Sequence, residues 1–181
     1  MPCPPDNLRI KPMRIALLGA GHLGKIHLKC ILSSGCWDFA GFYDPDDKNA
    51  DSAIAQFNAK RYKSLDNLLA EVDAVDIVTP TPTHFKLATR ALQAGKHVFM
   101  EKPLATNIAD AEAVVKLARE KNKKLVLGYI LRVHPSWMKF TELAQTLELD
   151  AGYLSRLLRR LKERGLLKIR RNEADARHQH L

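Results

Sequence analysis

Gly19, Gly21 and Gly24 stand at G-x-G-x-x-G spacing directly after the apolar run Ile15 to Leu18, and an apolar-periodic stretch comes after them. Each glycine has its own task in a turn that holds a dinucleotide. The first permits the tight turn, the second lets the backbone approach a pyrophosphate, and the third lets the helix pack closely on the strand. The N–H groups opening that helix, around His22 and Leu23, then face the phosphates. A glycine-rich turn can also be purely structural. Asp44 weighs against that reading: it lies 20 residues beyond Gly24, at the end of the run Phe39-Ala-Gly-Phe-Tyr, where a carboxylate can take ribose hydroxyls. The same carboxylate repels a 2′-phosphate, which favours NAD over NADP, with Lys48 the nearby cation that works against the preference.

These groups need a scaffold, and the pattern supplies one. Strands are predicted at Arg14 to Leu18, Phe39 to Tyr43, Arg61 to Tyr62 (short), Ala74 to Val78, His97 to Met100 and Lys124 to Gly128. Helices are predicted between them at His22 to Ser33, Lys48 to Asn58, Leu65 to Glu71, His84 to Ala94 and Ile108 to Asn122. Alternation of this kind means an α/β fold with a doubly wound parallel sheet, because each parallel crossover needs a covering helix. In such a sheet the ligand lies outside the carboxyl ends of the strands. The residues at those ends are polar or special in backbone: the three glycines, Asp44, Thr79-Pro80, Glu101-Lys102-Pro103, and Arg132-Val-His134-Pro135. Each has a bland alternative, Thr79-Pro80 as a turn, Glu101-Lys102 as a solvated pair, His84 as a helix cap. Their convergence on one edge is what argues for a site.

The combination Gly19-Ala-Gly-His-Leu-Gly, His27, Asp44, Asp76-Ile-Val-Thr-Pro-Thr-Pro-Thr-His84, Gly95-Lys-His-Val-Phe-Met-Glu101-Lys102-Pro103-Leu and Gly128-Tyr resembles the N-terminal Rossmann domain of the Gfo/Idh/MocA oxidoreductases over about residues 13–138. That resemblance implies hydride transfer between NAD(P) and a hydroxyl carbon of a sugar or cyclitol, a small polyhydroxy substrate. It implies a cofactor site of Gly19, Gly21, His22, Leu23, Gly24, Asp44, Thr79, Pro80, His84, Glu101 and Lys102. Lys102 would be the catalytic residue, its ammonium hydrogen-bonding a substrate oxygen as negative charge develops there, with Glu101 and a cis Pro103 shaping the loop. The family continues into a second, mixed α/β domain that carries most substrate contacts. The 43 residues after Met138 do not resemble its start, so the implied domain is incomplete for catalysis alone.

Composition narrows the classes further. Residues 1–12, with four prolines and three charges, read as a mobile tail rather than a signal peptide, and no apolar run is long enough to span a bilayer. Cys3, Cys30 and Cys36 are odd in number and lack metal-ligand spacing, which points to reduced thiols in a cytoplasmic setting and to no metal site. Open sheet edges make a homo-oligomer an expectation as well. The net charge of +9 is uneven: residues 1–140 hold 20 basic and 14 acidic side chains, whereas Arg156 to Arg171 holds eight basic and one acidic.

That basic segment, 139–181, has its own pattern. Phe140 to Leu149 reads as a short helix with Leu143 and Leu147 on one face. Asp150 caps a second helix, Ala151 to Arg164, which Gly165 closes. Leu154, Leu157, Leu158 and Leu161 form its apolar stripe. Thr141 to Leu167 is similar to the helix-turn-helix of MarR-type winged-helix regulators, and Lys168 to Arg177 to their wing. The resemblance implies that Ser155, Arg156 and Arg159 face DNA and that Arg177, steadied by Asp175, enters the minor groove. Three alternatives stay open: a cofactor-responsive DNA-binding regulator, a leucine stripe that only covers the Rossmann surface, and a truncated or engineered chimera without joint function.

Overall fold

The computed structural model describes residues 12–129 and 134–166, which fall into two compact units divided after Tyr129. In chain order the first runs β1 (Arg14–Leu18), α1 (His22–Ser34), β2 (Asp38–Tyr43), α2 (Asp47–Phe57), α3 (Leu65–Glu71), β3 (Ala74–Ile77), a single 3-10 turn (Thr81–Thr83), α4 (His84–Gln93), β4 (His97–Met100), α5 (Ile108–Glu120) and β5 (Leu125–Leu127). The sheet order is β2-β1-β3-β4-β5 and every pairing is parallel. The chain therefore reverses direction across the sheet between β1 and β3. Such a switch point opens a crevice at the carboxyl ends of the two strands.

β1 is buried on both faces, as its unbroken apolar run requires. Ala16 and Leu18 join the larger core with Leu68, Val75, Ile77, Ala88, Leu92, Val98 and Val114, while Leu17 joins Leu28, Phe42, Ala50 and Ala53 on the opposite face. Each fully enclosed leucine contributes about 1.5–3 kcal/mol relative to exposure. This central strand is consequently the firmest support the glycine turn can have. Polar caps fix the helices around it: Asp46, Ser64 and Asn107 accept the N–H of Asn49, Asn67 and Asp110 and so start α2, α3 and α5.

Several bounds move by one or two residues, and β5 shortens to Leu125–Leu127. The short strand at Arg61–Tyr62 reduces to one bridge between Arg61 and Phe42, because Ser64 already caps α3 and leaves no length for a ladder. α5 stops at Glu120 rather than Asn122, whose positive φ of 51° leaves the helical region.

The second unit contains α6 (Pro135–Thr146) and α7 (Ala151–Glu163). α6 starts earlier than the expected Phe140. Proline at its first position is pre-set for the helix, and the His134 ring accepts the Ser136 N–H at 3.3 Å. Asp150 caps α7 by accepting the Tyr153 N–H at 2.9 Å, and Gly165, at φ 71°, stands just past its end. Leu154 and Ala144 are buried, Leu157, Leu158 and Leu161 half-buried, whereas Leu143 and Leu147 are both exposed. Among the described residues no helix is long and apolar enough to cross a membrane.

Candidate functional site

The glycine turn occupies the switch-point crevice. Gly19 has φ 96°, and a Cβ there would lie 2.7 Å from the Val78 carbonyl oxygen and 2.9 Å from the Thr79 methyl carbon. Only glycine lets the turn leave β1 this close to the chain leaving β3. A Cβ on Gly24 would sit 2.0 Å from the Gly19 carbonyl oxygen, so α1 packs directly on its own turn. Gly21 differs from both: a Cβ there would meet nothing within 4 Å. The space over Gly21 is open, where the other two glycines are filled by protein.

α1 begins on Gly21 with no side-chain cap and no acid in its first turn, while α2, α3, α5, α6 and α7 each have a capping side chain. Its opening N–H groups and the positive end of its dipole face the open space over Gly21, and His22 and Leu23 are exposed beside it. An anion such as a pyrophosphate fits this arrangement, which is the cradle a dinucleotide cofactor needs.

Asp44 is almost enclosed, 6% exposed, and it holds the turn in place. Its Oδ2 accepts the Ala20 N–H at 2.7 Å and its Oδ1 accepts the Asp46 N–H at 2.8 Å. The Gly19 N–H donates to the Tyr43 carbonyl at 2.9 Å, so the end of β2 is tied to the turn twice. Each carboxylate oxygen keeps further acceptor capacity for a ribose hydroxyl. Arg61 stands next to it, donating to the Asp44 carbonyl at 2.9 Å and paired with Asp47 at 2.7 Å. Lys48 is exposed.

The other residues expected at the edge divide into a front and a back. Lys102, Pro103 and Pro80 are exposed and Thr79 half-buried, while Glu101 and His84 are buried. His84 spends both ring nitrogens on backbone: Nδ1 lies 2.7 Å from the Pro103 carbonyl oxygen and Nε2 2.8 Å from that of Thr79. It joins the loop after β3 to the loop after β4 from behind, and its ring faces backbone, not open space. The Lys102–Pro103 peptide is cis, as expected. Arg132 lies outside the described residues, and His134 belongs to the second unit, where it caps α6.

One group of residues was not legible as a unit. His27 Nδ1 contacts Asp76 Oδ2 at 2.9 Å, and His27 Nε2 is 3.5 Å from Glu101 Oε1. The signal was a carboxylate inside the buried strand Ala74-Val75-Asp76-Ile77, which has to find a partner. Burial pushes the Asp76 carboxyl up, against the hydrogen bond and charge of His27. Burial also works against the His27 imidazolium, but the hydrogen bond and charge of Asp76 and the charge of Glu101 outweigh it and raise the His27 pKa. The pair holds its proton to higher pH than a free imidazole does.

In the second unit Ser155, Arg156 and Arg159 are exposed on α7, and Asp175 and Arg177 lie outside the described residues.

Comparison with known proteins agrees with this geometry. UDP-N-acetylglucosamine 3-dehydrogenase of Acidithiobacillus ferrooxidans is 41% identical over 124 residues, covering 68% of this chain and 39% of that enzyme. A solved structure of the same enzyme superposes with a TM-score of 0.68 at 39% identity, covering 72% of this chain and 41% of that one. The WlbA dehydrogenase of Bordetella pertussis, solved in complex with NADH and UDP-GlcNAcA, gives a TM-score of 0.70 at 27% identity over 75% of this chain and 42% of that one. The chain thus spans about two fifths of the length of these relatives. Residues 121–178 match the MarR family. Residues 13–129 match the oxidoreductase family with an NAD-binding Rossmann fold, and the chain belongs to that Gfo/Idh/MocA family through this domain.

Proposed function

We propose that this chain holds NAD on the turn Gly19 to Gly24, with the pyrophosphate over Gly21, the adenosine ribose on Asp44, and the nicotinamide end toward Thr79, Pro80 and Lys102. The observation that carries the reading is the uncapped start of α1 facing open space at the switch point of a parallel sheet. When bound, the cofactor supplies hydride exchange with a hydroxyl carbon, for which a sugar or cyclitol is the substrate class we propose. The residues of this chain bind and orient. Asp44 takes ribose hydroxyls and disfavours a 2′-phosphate, α1 holds the pyrophosphate, and Lys102 stabilises charge on the substrate oxygen. His22 and Leu23 flank the phosphates, and His84 supports Thr79 and Pro103 from behind.

Gly21→Val tests this directly, because the substitution meets no protein atom at Cβ and fills the space assigned to the pyrophosphate. NADH titration by fluorescence should show a loss of at least about 100-fold, some 2.7 kcal/mol, with the melting temperature unchanged. NADPH should bind the unsubstituted chain more weakly than NADH. Equal NADH affinity in both proteins would place the cofactor elsewhere.

A second reading applies to residues 134–166. The match to the MarR family and the exposed Ser155, Arg156 and Arg159 on α7 favour duplex DNA as a partner. Fluorescence anisotropy with a labelled duplex should show affinity falling steeply with salt, and Arg156→Ala with Arg159→Ala should reduce that slope by about two. Binding that ignores salt would exclude phosphate contact, and an NADH-dependent slope would link the two units.

A further inference from the structure

Two buried carboxylates and a half-buried imidazole meet behind Lys102, and the proposed cofactor reading leaves His27 and Asp76 without a task. The His27, Asp76 and Glu101 side chains are 12%, 6% and 8% exposed. They come from α1, from β3 and from the end of β4, and the Phe99 ring packs beside the imidazole with its centroid 6.1 Å away. Glu101 is enclosed further by Gly128, where a Cβ would lie 2.7 Å from Oε1. Its Oε2 accepts the Lys102 N–H at 3.2 Å. Among the described residues, His27 is the only cationic side chain paired with either carboxylate. One imidazole therefore stands between two buried acids, and one of those acids holds the backbone of Lys102.

The chemistry of the ring makes this arrangement dependent on its proton. As an imidazolium His27 turns an N–H toward each carboxylate, hydrogen-bonding Asp76 Oδ2 and pairing in charge with Glu101, while Asp76 Oδ1 has no hydrogen-bond partner among the described residues. As a neutral ring it donates from one, and the other nitrogen turns a lone pair toward a carboxylate. The Asp76 contact at 2.9 Å is the shorter, so the 3.5 Å Glu101 contact is the one given up. A buried carboxylate that loses this ion pair shifts or takes up water, and the Lys102 backbone moves with it. The glycine turn is spared, because Asp44 and Tyr43 hold it from β2.

We propose that His27 is a positioning residue for the Lys102 loop: by bridging Asp76 and Glu101 it ties α1 to that loop and makes affinity for the nicotinamide end depend on pH. This rests on the reading that Lys102 faces the nicotinamide end of the cofactor. Asp76, Glu101 and Lys102 are the titratable groups that share the site with His27.

Calorimetric titration of the whole chain with NADH and with ADP-ribose, which lacks the nicotinamide, separates the two halves of the site. The proteins are the unsubstituted chain, His27→Gln and Glu101→Gln, from about pH 6 to about pH 9. In the unsubstituted chain NADH affinity should fall about tenfold over that range while ADP-ribose affinity stays within about twofold. His27→Gln keeps a donor and does not titrate. It should bind NADH weakly at every pH, with ADP-ribose affinity retained. Glu101→Gln, which leaves the His27–Asp76 contact in place, should lose NADH in the same selective way, and it carries the test if His27→Gln does not fold. A pH slope that survives in the variants overturns the proposal. So does an equal loss of NADH and ADP-ribose, which would mean a purely structural role. If the unsubstituted chain binds neither ligand, the cofactor reading itself fails and takes this inference with it.

Discussion

Gly24→Ala is expected to destabilise the chain by roughly 3 kcal/mol and to remove cofactor binding as a result, the largest effect of any single methyl group in the site. The added carbon would lie 2.0 Å from the Gly19 carbonyl oxygen and 2.9 Å from its carbonyl carbon. Both are backbone atoms, so neither can rotate away. Moving Gly19 is also obstructed, because the Val78 carbonyl and the Thr79 methyl fill the space where a Cβ would stand on it and its N–H is bonded to Tyr43. Alanine is the better helix former by about 1 kcal/mol, which does not offset a clash of this size. Urea unfolding monitored by circular dichroism gives the number. A variant as stable as the parent would mean that α1 does not rest on the turn as closely as Gly24 demands.

Asp44→Ala should damage both stability and affinity, and for separable reasons. The Ala20 N–H that it satisfies is buried, and an orphaned buried donor costs about 1–3 kcal/mol. The Asp46 N–H, nearer the surface, adds less because water can replace the carboxylate. With the turn loosened and the ribose acceptor gone, NADH affinity should fall between about tenfold and 100-fold. Discrimination against NADPH should disappear with it, since the repulsive charge is what enforces it. Asp44→Asn is the informative companion: one carbonyl oxygen can still accept the Ala20 N–H, so stability returns while discrimination does not. If NADH and NADPH affinities in Asp44→Ala keep the ratio seen in the unsubstituted chain, Asp44 is a structural residue and the ribose is read by other groups.

The two variants show which parts of the site a sequence can display. The glycine turn and the alternating strands were legible because each is local. Period and spacing within about 20 residues determine them, and the structure moves their ends by one or two positions. Arg61–Tyr62 was not, since two residues carry no period and only the nearby cap at Ser64 limits them. His84 illustrates a different limit. A motif position says that a residue belongs to the site, and it does not say whether the side chain faces the ligand or props the loop that does. Here both ring nitrogens meet backbone carbonyls. The contacts of His27 with Asp76 and with Glu101 join positions 49 and 74 residues apart, and only the sheet brings them together. Asp44 was visible as a carboxylate at the end of β2, but its hold on the Ala20 N–H depends on the register of β1 with β2.

The stretch from residue 121 to 129 falls within both family matches. In the fold, Leu125–Leu127 is β5, paired with Val98 to Met100, and Gly128 leaves room for the Glu101 carboxylate. This sets a rule for exchanging modules. A foreign C-terminal segment can be grafted without injury only beyond Gly128. A graft placed earlier has to supply both a strand that continues the sheet and a residue without a side chain opposite Glu101.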